Sequence, residues 1–509
     1  MPRYLLFVLL AFSGHAQAAP QQGNLFIRNV DVVSPDRPDV QYDVDVLIEG
    51  GRIVAIGPNL EHDATIKLLE GDGFYLTPGL IDSHVHLYHA TGLKPQYTEN
   101  YHALYRSYMD QAPRSYLYFG YTTLIELNAD FEAVEDFKKH PLRPRLFHCG
   151  QGLVLPDGFM ALEYEEGGIT RAFPNFLYDH HRGGEFPDGF DKKDHTPKAV
   201  VGKIADQGGV CVKMYYEEAQ WWPGGAPEFA LPTPEIVNDV VDAARGLGLP
   251  VILHATTVGG HEFGLEAKVD ILAHGPWEWP DVGYDHMEPP TVIDDVVTQI
   301  AASETAIQPT LRTLRNTVSM FDPASLDHPA LPHVLPAAYM KYLQTEAPVQ
   351  RDRFLSVFGS SFKKLMAVGA DEELELDEMR RVQLAFNERY EQMIGAMQAK
   401  GARLLFGTDT AVGGFGWGNP PGLNGLWEMQ GWQRAGVPLR AIFEAATIGN
   451  AEAFGLDDEL GTVSVGKRAD LLLMRGNPLE ALSAYNSIAT AIVDGQPIVR
   501  ESLSAQKTE

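Results

Sequence analysis

Over residues 24–73 short apolar runs alternate with polar positions. Residues 25–33 mix apolar pairs with strict alternation, 44–48 repeat the pattern, and Gly50-Gly51 opens a third run over 52–57. Alternation at period two, punctuated by glycine turns, predicts β-strands. The unit is too small to bury a substantial core alone. A matching fragment lies at the far end, in residues 461–474 and 488–495. The two ends are therefore expected to join into one small β-sandwich, with the chain between them forming a single inserted domain.

That middle, residues 77–456, changes period. Eight short apolar runs, at 80–86, 121–127, 145–149, 210–214, 251–254, 269–274, 305–310 and 403–409, alternate with helical stretches. The clearest helices are 234–247, where Thr233 can cap, and 373–400, which is amphipathic and charge-rich. Such alternation predicts an α/β fold, a TIM-like (β/α)8 barrel with parallel strands. Residues 311–372 exceed what a barrel connector needs and are expected to form a helical cover. The expected organisation is 1–18 signal peptide, 19–76 and 457–509 the two parts of the β-sandwich, and 77–456 the barrel.

The signal peptide is read from Arg3, the apolar run 4–12, which is too short to span a bilayer, and the small-x-small site Ala16-Gln-Ala18. Cleavage after Ala18 would place the mature protein outside the cytoplasm, in the periplasm or beyond. No later run has spanning length, so a membrane is not expected as a partner. Forty Lys and Arg against 68 Asp and Glu give a formal net charge of −28, which disfavours nucleic acid and anionic membrane faces. The two cysteines, Cys149 and Cys211, sit in or beside apolar runs; a secreted protein could pair them, and reduced, buried thiols are the reading preferred here. The oligomeric state stays open.

Candidate chemistry gathers at the ends of the middle strands. In an extended chain, residues two apart project to the same side, so His84 and His86 can aim two imidazoles at one point. Lys213, His254, His274 and Asp409 close four of the other runs. Strand ends converge at the C-terminal mouth of a β/α barrel, so these six residues are expected in one site, with nitrogen and oxygen donors for a divalent ion.

The motifs Pro78-Gly-Leu-Ile-Asp-Ser-His-Val-His86, His254-Ala255, Ala273-His274-Gly275 and Gly407-Thr-Asp409, with the tail Ala445-Ala-Thr447, Gly466-Lys-Arg-Ala-Asp470 and Gly476-Asn-Pro478, carry a family resemblance. Across essentially the whole mature chain the sequence resembles the metal-dependent amidohydrolase superfamily, most closely its imidazolonepropionase-related and prolidase-like members. The resemblance implies one or two divalent ions, zinc being the expected metal. His84 and His86 would hold the more buried ion and His254 and His274 the outer one. Asp409 would be both metal ligand and catalytic base, and Lys213, carboxylated to N6-carboxylysine, would bridge. The Met-Tyr-Tyr-Glu-Glu run after Lys213 departs from the small, Gly-rich turn of prolidase-like relatives, which leaves one ion and two both open. Tyr215 and Tyr216 are candidates for binding a substrate carboxylate or oxyanion, and packing is the alternative for each.

The implied reaction is hydrolysis of a C–N bond in a small molecule, of the prolidase-like dipeptide or N-acyl amino acid type. Lactone or ester hydrolysis and deamination are alternatives on the same site. Deaminase members place a glutamate just beyond the fifth-strand histidine, where this chain has His254-Ala-Thr-Thr257. A barrel that had become a binding protein would be expected to lose ligands, and all are present. The loops after the strands carry Trp221, Trp222, Trp277, Trp279 and Trp417, which favours an apolar or aromatic substrate group.

Overall fold

The computed structural model describes residues 23–94, 98–129, 131–163, 168–183, 185–219, 229–279, 286–366, 369, 372–411 and 416–506. The expected signal peptide, Trp221 and Trp222 lie outside the described residues. The N-terminal strands are β1 (Leu25–Val32), β2 (Gln41–Glu49), β3 (Arg52–Gly57), β4 (Lys67–Glu70) and β5 (Tyr75–Pro78). The middle supplies β6 (Leu80–Val85), β7 (Tyr121–Glu126), β8 (Arg145–His148), β9 (Val212–Tyr215), β10 (Val251–His254), β11 (Ile271–Ala273) and β12 (Ala306–Gln308). The tail adds β13 (Leu471–Met474), β14 (Ile488–Val493) and β15 (Gln496–Val499).

Both chain ends enter one eight-stranded sheet, in the order β15-β14-β13-β5-β1-β2-β3, with β4 also on β1. The expected joining of the ends is met, in a single sheet and not in two stacked ones. The sheet curls: Ile53 N donates to Lys467 O at 2.9 Å and Gly466 N to Ile53 O at 2.8 Å, so β3 returns to the segment before β13. Alternate residues of these strands, including Ile27, Val46, Ile53, Leu76, Leu471 and Ile492, form one buried apolar cluster. Asp470 ties this unit to the middle domain. Its carboxylate takes Arg145 Nε at 2.8 Å and Nη2 at 3.3 Å in a two-pronged pair, and its main-chain oxygen accepts Gly79 N at 2.8 Å.

In the middle, regular ladders make two parallel sheets, β6-β7-β8 and β12-β11-β10-β9, and these ladders do not close a barrel. Residues 403–410 run between them. Ile307 N donates to Arg403 O at 2.9 Å and Leu405 N to Ile307 O at 2.8 Å on one side. On the other, Ser83 N donates to Phe406 O at 3.1 Å and Asp409 N to His84 O at 2.8 Å. Ile81, Ile125, Ile252, Ile271, Ala306 and Leu405, with Cys149 and Cys211 beside β8 and β9, share an interior cluster. The helix Pro234–Arg245 begins as expected, with Thr233 Oγ1 accepting Ile236 N at 3.2 Å. Helices Leu311–Phe321 and Ala337–Leu365 occupy the long segment expected to be a cover, and Leu376–Lys400 is the amphipathic helix expected over 373–400. Among the described residues no helix is long and apolar enough to cross a membrane.

One expectation is overturned. Cys149 and Cys211 are not free thiols but a disulfide, with Cα atoms 4.5 Å apart. The reason is adjacency: Val210 N donates to His148 O at 2.9 Å, so the end of β8 lies against the start of β9 and the thiols come within bonding reach.

Because β13 lies between β14 and β5, deleting the chain from Gly461 onward strips the curled sheet of three strands. The truncated protein is expected to aggregate, since the apolar faces of Ile27, Val46 and Leu76 lose their cover. Size-exclusion chromatography decides this, and a soluble, monodisperse truncation would show the pairing to be dispensable.

Candidate metal centre

Parallel pairing between β6 and residues 403–410 builds the centre. It brings His84 and His86 alongside Asp409, and Gly407 permits the close approach, because a Cβ there would sit 2.7 Å from His84 Cβ. His84 Nε2 lies 3.3 Å and His86 Nε2 3.0 Å from Asp409 Oδ1. These three side chains can offer ligand atoms that all lie within 4.8 Å of one another. The remaining imidazoles extend the group. Ring centroids run His86–His84 5.4 Å, His84–His274 5.3 Å and His274–His254 4.6 Å, a continuous arc from β6 to the ends of β11 and β10.

Lys213 completes the set from β9. It is 1% exposed, and its Nζ is buried without a hydrogen-bond partner among the described residues. Burial pulls its pKa down to about 7, against the opposing pull of Asp409. The other groups respond to burial as their neighbours dictate. His84 is pushed down to about 3 by burial and by nearby Lys213. His274 is held well below its usual value by burial and by His254. His86 would also fall on burial, but Asp409 and Glu126 outweigh this and lift it to about 9. Burial would raise Asp409, yet the two imidazoles hold it well below the carboxylate range. The site thus gathers buried nitrogen donors around a buried, ionised carboxylate, a donor set that suits a cation. The unpartnered Nδ1 of His84 and Nζ of Lys213, and the nitrogen-plus-carboxylate donor set, fit a divalent transition ion.

A further set of residues orients these donors, and sequence reasoning did not single them out. Glu126, fully buried at the end of β7, accepts Asn128 N at 2.8 Å and Leu87 N, and lies 3.5 Å from His86 Nδ1. Glu217 lies 2.9 Å from His254 Nε2. Thr310 Oγ1 is 2.7 Å from His274 Nδ1, and Thr313 Oγ1 donates to Asp409 Oδ2 at 3.1 Å. Below the ligands, Asp82 Oδ1 accepts Thr408 N at 3.1 Å and Oδ2 accepts Thr408 Oγ1 at 2.7 Å, fixing the strand that carries Asp409. Three of the residues involved, His274, Thr310 and Asp409, adopt positive φ of 73°, 50° and 57°. Non-glycine residues held this way carry a cost of about 1–3 kcal/mol each, which concentrates at functional sites. Gly275, next to His274, leaves room for Tyr390 of the long helix, whose hydroxyl would lie 2.5 Å from a Cβ there.

The structure separates the two tyrosines. Tyr215 stands beside the arc, its ring 5.8 Å from that of His254 and 5.7 Å from Lys213 Nζ. Tyr216, the residue after β9, packs on Phe263 at 4.5 Å, the packing alternative named for it. Trp277 reaches the site, 5.1 Å from His274, while Trp279 stacks on Arg389.

A sequence model described as the Amidohydrolase family matches residues 356–498. The chain is similar to adenine deaminase of Deinococcus radiodurans, 42% identical over 67 residues, which is 13% of this chain and 12% of that protein. It is 26% identical over 228 residues to imidazolonepropionase of Stenotrophomonas maltophilia, 40% of this chain and 50% of that protein. The chain therefore spans half or less of the length of these curated relatives. A solved Xaa-Pro dipeptidase with bound methionine in the active site shares the fold, with a TM-score of 0.60 at 18% identity, covering 94% of this chain and 100% of that one. These matches bear out the resemblance to the amidohydrolase superfamily, with imidazolonepropionase and prolidase-like proteins among the similar ones.

If these donors hold metal, the purified protein should carry up to about two divalent ions per chain, and the His84→Ala/His86→Ala double variant should lose the ion they share. Elemental analysis after dialysis measures this. Full stoichiometry in the double variant would place the metal elsewhere.

Proposed function

We propose that this chain is a metal-dependent hydrolase cleaving the C–N bond of a small amide, a dipeptide or N-acyl amino acid being the substrate class. The observation that carries the proposal is the convergence of four imidazoles, one carboxylate and an unpartnered buried amine, delivered from the ends of separate strands. In this reading His84, His86, His254, His274, Lys213 and Asp409 hold one or two ions, zinc being the metal proposed. When bound, such ions supply Lewis acidity and lower the pKa of a water toward neutrality. The eight strands are read as a TIM-like (β/α)8 barrel, supported by the hydrogen bonds that residues 403–410 make on both sides and by the shared interior cluster.

The chain's own groups then divide the work. Asp409 Oδ1 lies between His84 and His86, placed to take a proton from the attacking water. As the water oxygen bonds to the carbonyl carbon and the C–N bond breaks, the same oxygen returns the proton to the leaving nitrogen. Lys213 is suited to carboxylation. Its burial favours the neutral amine, whose lone pair forms an N–C bond to carbon dioxide with loss of a proton, giving an anionic ligand with two oxygens. Tyr215 and Trp277 wall the site beside the rings and would contact the substrate. The carboxylate next to His254, Glu217, comes from the segment after β9, and the positions just beyond His254 hold Ala-Thr-Thr, so hydrolysis is favoured over deamination.

The domain division at 18, 76 and 456, and export of the mature chain to the periplasm or beyond, belong to the same proposal. The Cys149–Cys211 disulfide supports an oxidising compartment. N-terminal sequencing of the exported protein should begin at Ala19, and retention of Met1 would refute cleavage.

Lys213→Ala is expected to lose most turnover on a panel of N-acyl amino acids and Xaa-Pro dipeptides. Acetate or propionate should restore part of it by offering two oxygens in the vacated space. Full activity and full metal content in Lys213→Ala would remove the bridging role, and loss without rescue would leave the lysine unmodified.

A further inference from the structure

Between β8 and β9, a turn carrying two histidines faces a helix carrying a carboxylate. His180, His181 and Asp239 can offer ligand atoms that all lie within 4.8 Å of one another, and the group shares no residue with the candidate centre. Consecutive side chains point apart in an extended strand. These two stand in a turn, and their rings come together with centroids 3.9 Å apart. Asp239, exposed on the helix Pro234–Arg245, meets them from the next element, its Oδ2 lying 3.4 Å from His181 Nε2.

That separation suits an ion better than a proton. A well-formed N–H···O hydrogen bond spans about 2.7–3.2 Å. Two donors each about 2.0–2.1 Å from a tetrahedral zinc lie about 3.3–3.4 Å apart. The imidazole and the carboxylate therefore already stand at the spacing of two ligands on one ion.

The residues on either side of the histidines hold this arrangement in place. Asp179, 4% exposed, accepts His181 N at 3.1 Å and, from the cap of the helix that carries Asp239, Thr233 N at 2.8 Å and Thr233 Oγ1 at 3.1 Å. Arg182 makes a two-pronged pair with Asp157, both contacts at 3.1 Å. The turn is thus fixed against the helix before any ion arrives, which lowers the ordering cost of binding one.

We propose that His180, His181 and Asp239 form a separate site for a divalent transition ion of the zinc class, joining the turn to the helix. Two imidazoles and one carboxylate suit such an ion, whereas calcium and magnesium call for oxygen ligands throughout. The side chains of His181 and Asp239 are 32% and 51% exposed, so water completes the shell and the ion exchanges with solvent. The site should therefore fill during a titration and empty on dialysis. It stands independently of the hydrolase reading.

The test is calorimetric titration of the full-length, metal-stripped protein with zinc chloride. Wild type should take up about one more zinc per chain than His180→Ala/His181→Ala. Asp239→Ala should weaken that uptake about 10-fold or more, at least the loss seen when only the partner of a ligand is removed. The same uptake should persist in His84→Ala/His86→Ala. All three donors are exposed, so their variants should fold, and circular dichroism checks this. Equal zinc uptake in wild type and His180→Ala/His181→Ala, or unchanged affinity in Asp239→Ala, overturns the site. Zinc bound here and nowhere else would sink the hydrolase reading and leave this site standing.

Discussion

The centre depends on one buried carboxylate. Asp409 lies 6% exposed between the Nε2 atoms of His84 and His86, where an anion without partners would be too costly to bury. The fold places it there by hydrogen-bonding residues 403–410 alongside β6, an approach for which Gly407 leaves room. Asp82 and Thr408 lock the same junction from beneath, and Asn450 Nδ2 donates to both Ile81 O at 2.9 Å and Phe406 O at 2.7 Å. These buried polar groups share one purpose, the relative placement of two backbone segments remote in sequence.

Around that junction three of the four imidazoles have a partner behind them: a glutamate for His86, a glutamate for His254, a threonine for His274. Each partner arrives from a neighbouring strand end and not from the strand of the histidine itself. Orientation is thus a property of the strand order. A change that slid one strand against the next would misdirect a ring without touching it.

What could be read in the sequence, and what could not, follows from this. His84 and His86 were legible because spacing at period two is local, and Lys213, His254, His274 and Asp409 because each ends an apolar run. Glu126 and Glu217 carried a weaker form of the same signal, a carboxylate closing or just following a strand, but their partners are set by pairing across strands, which alternation does not encode. The disulfide was misread for the same reason: nothing local places Cys149 beside Cys211. Tyr216 shows the converse, since the alternation that unites His84 with His86 should have separated Tyr216 from Tyr215. At the chain ends the runs foretold strands, while their arrangement in one curled sheet depended on pairings between residues 23–78 and 463–499.

That sheet also governs how the protein can come into being. β5 pairs with β13, with Pro78 opposite Leu471, so the first strands made must wait for nearly the last. Until then β5 presents an unpaired edge and the apolar faces of β1 and β2 lack part of their cover. Contacts of such long sequence separation form slowly, because the loop they close must be ordered first. The growing chain passes through a long interval in which its oldest segment is its least protected. Its yield in a cell should be set by what shields that segment during synthesis as much as by the stability of the finished fold.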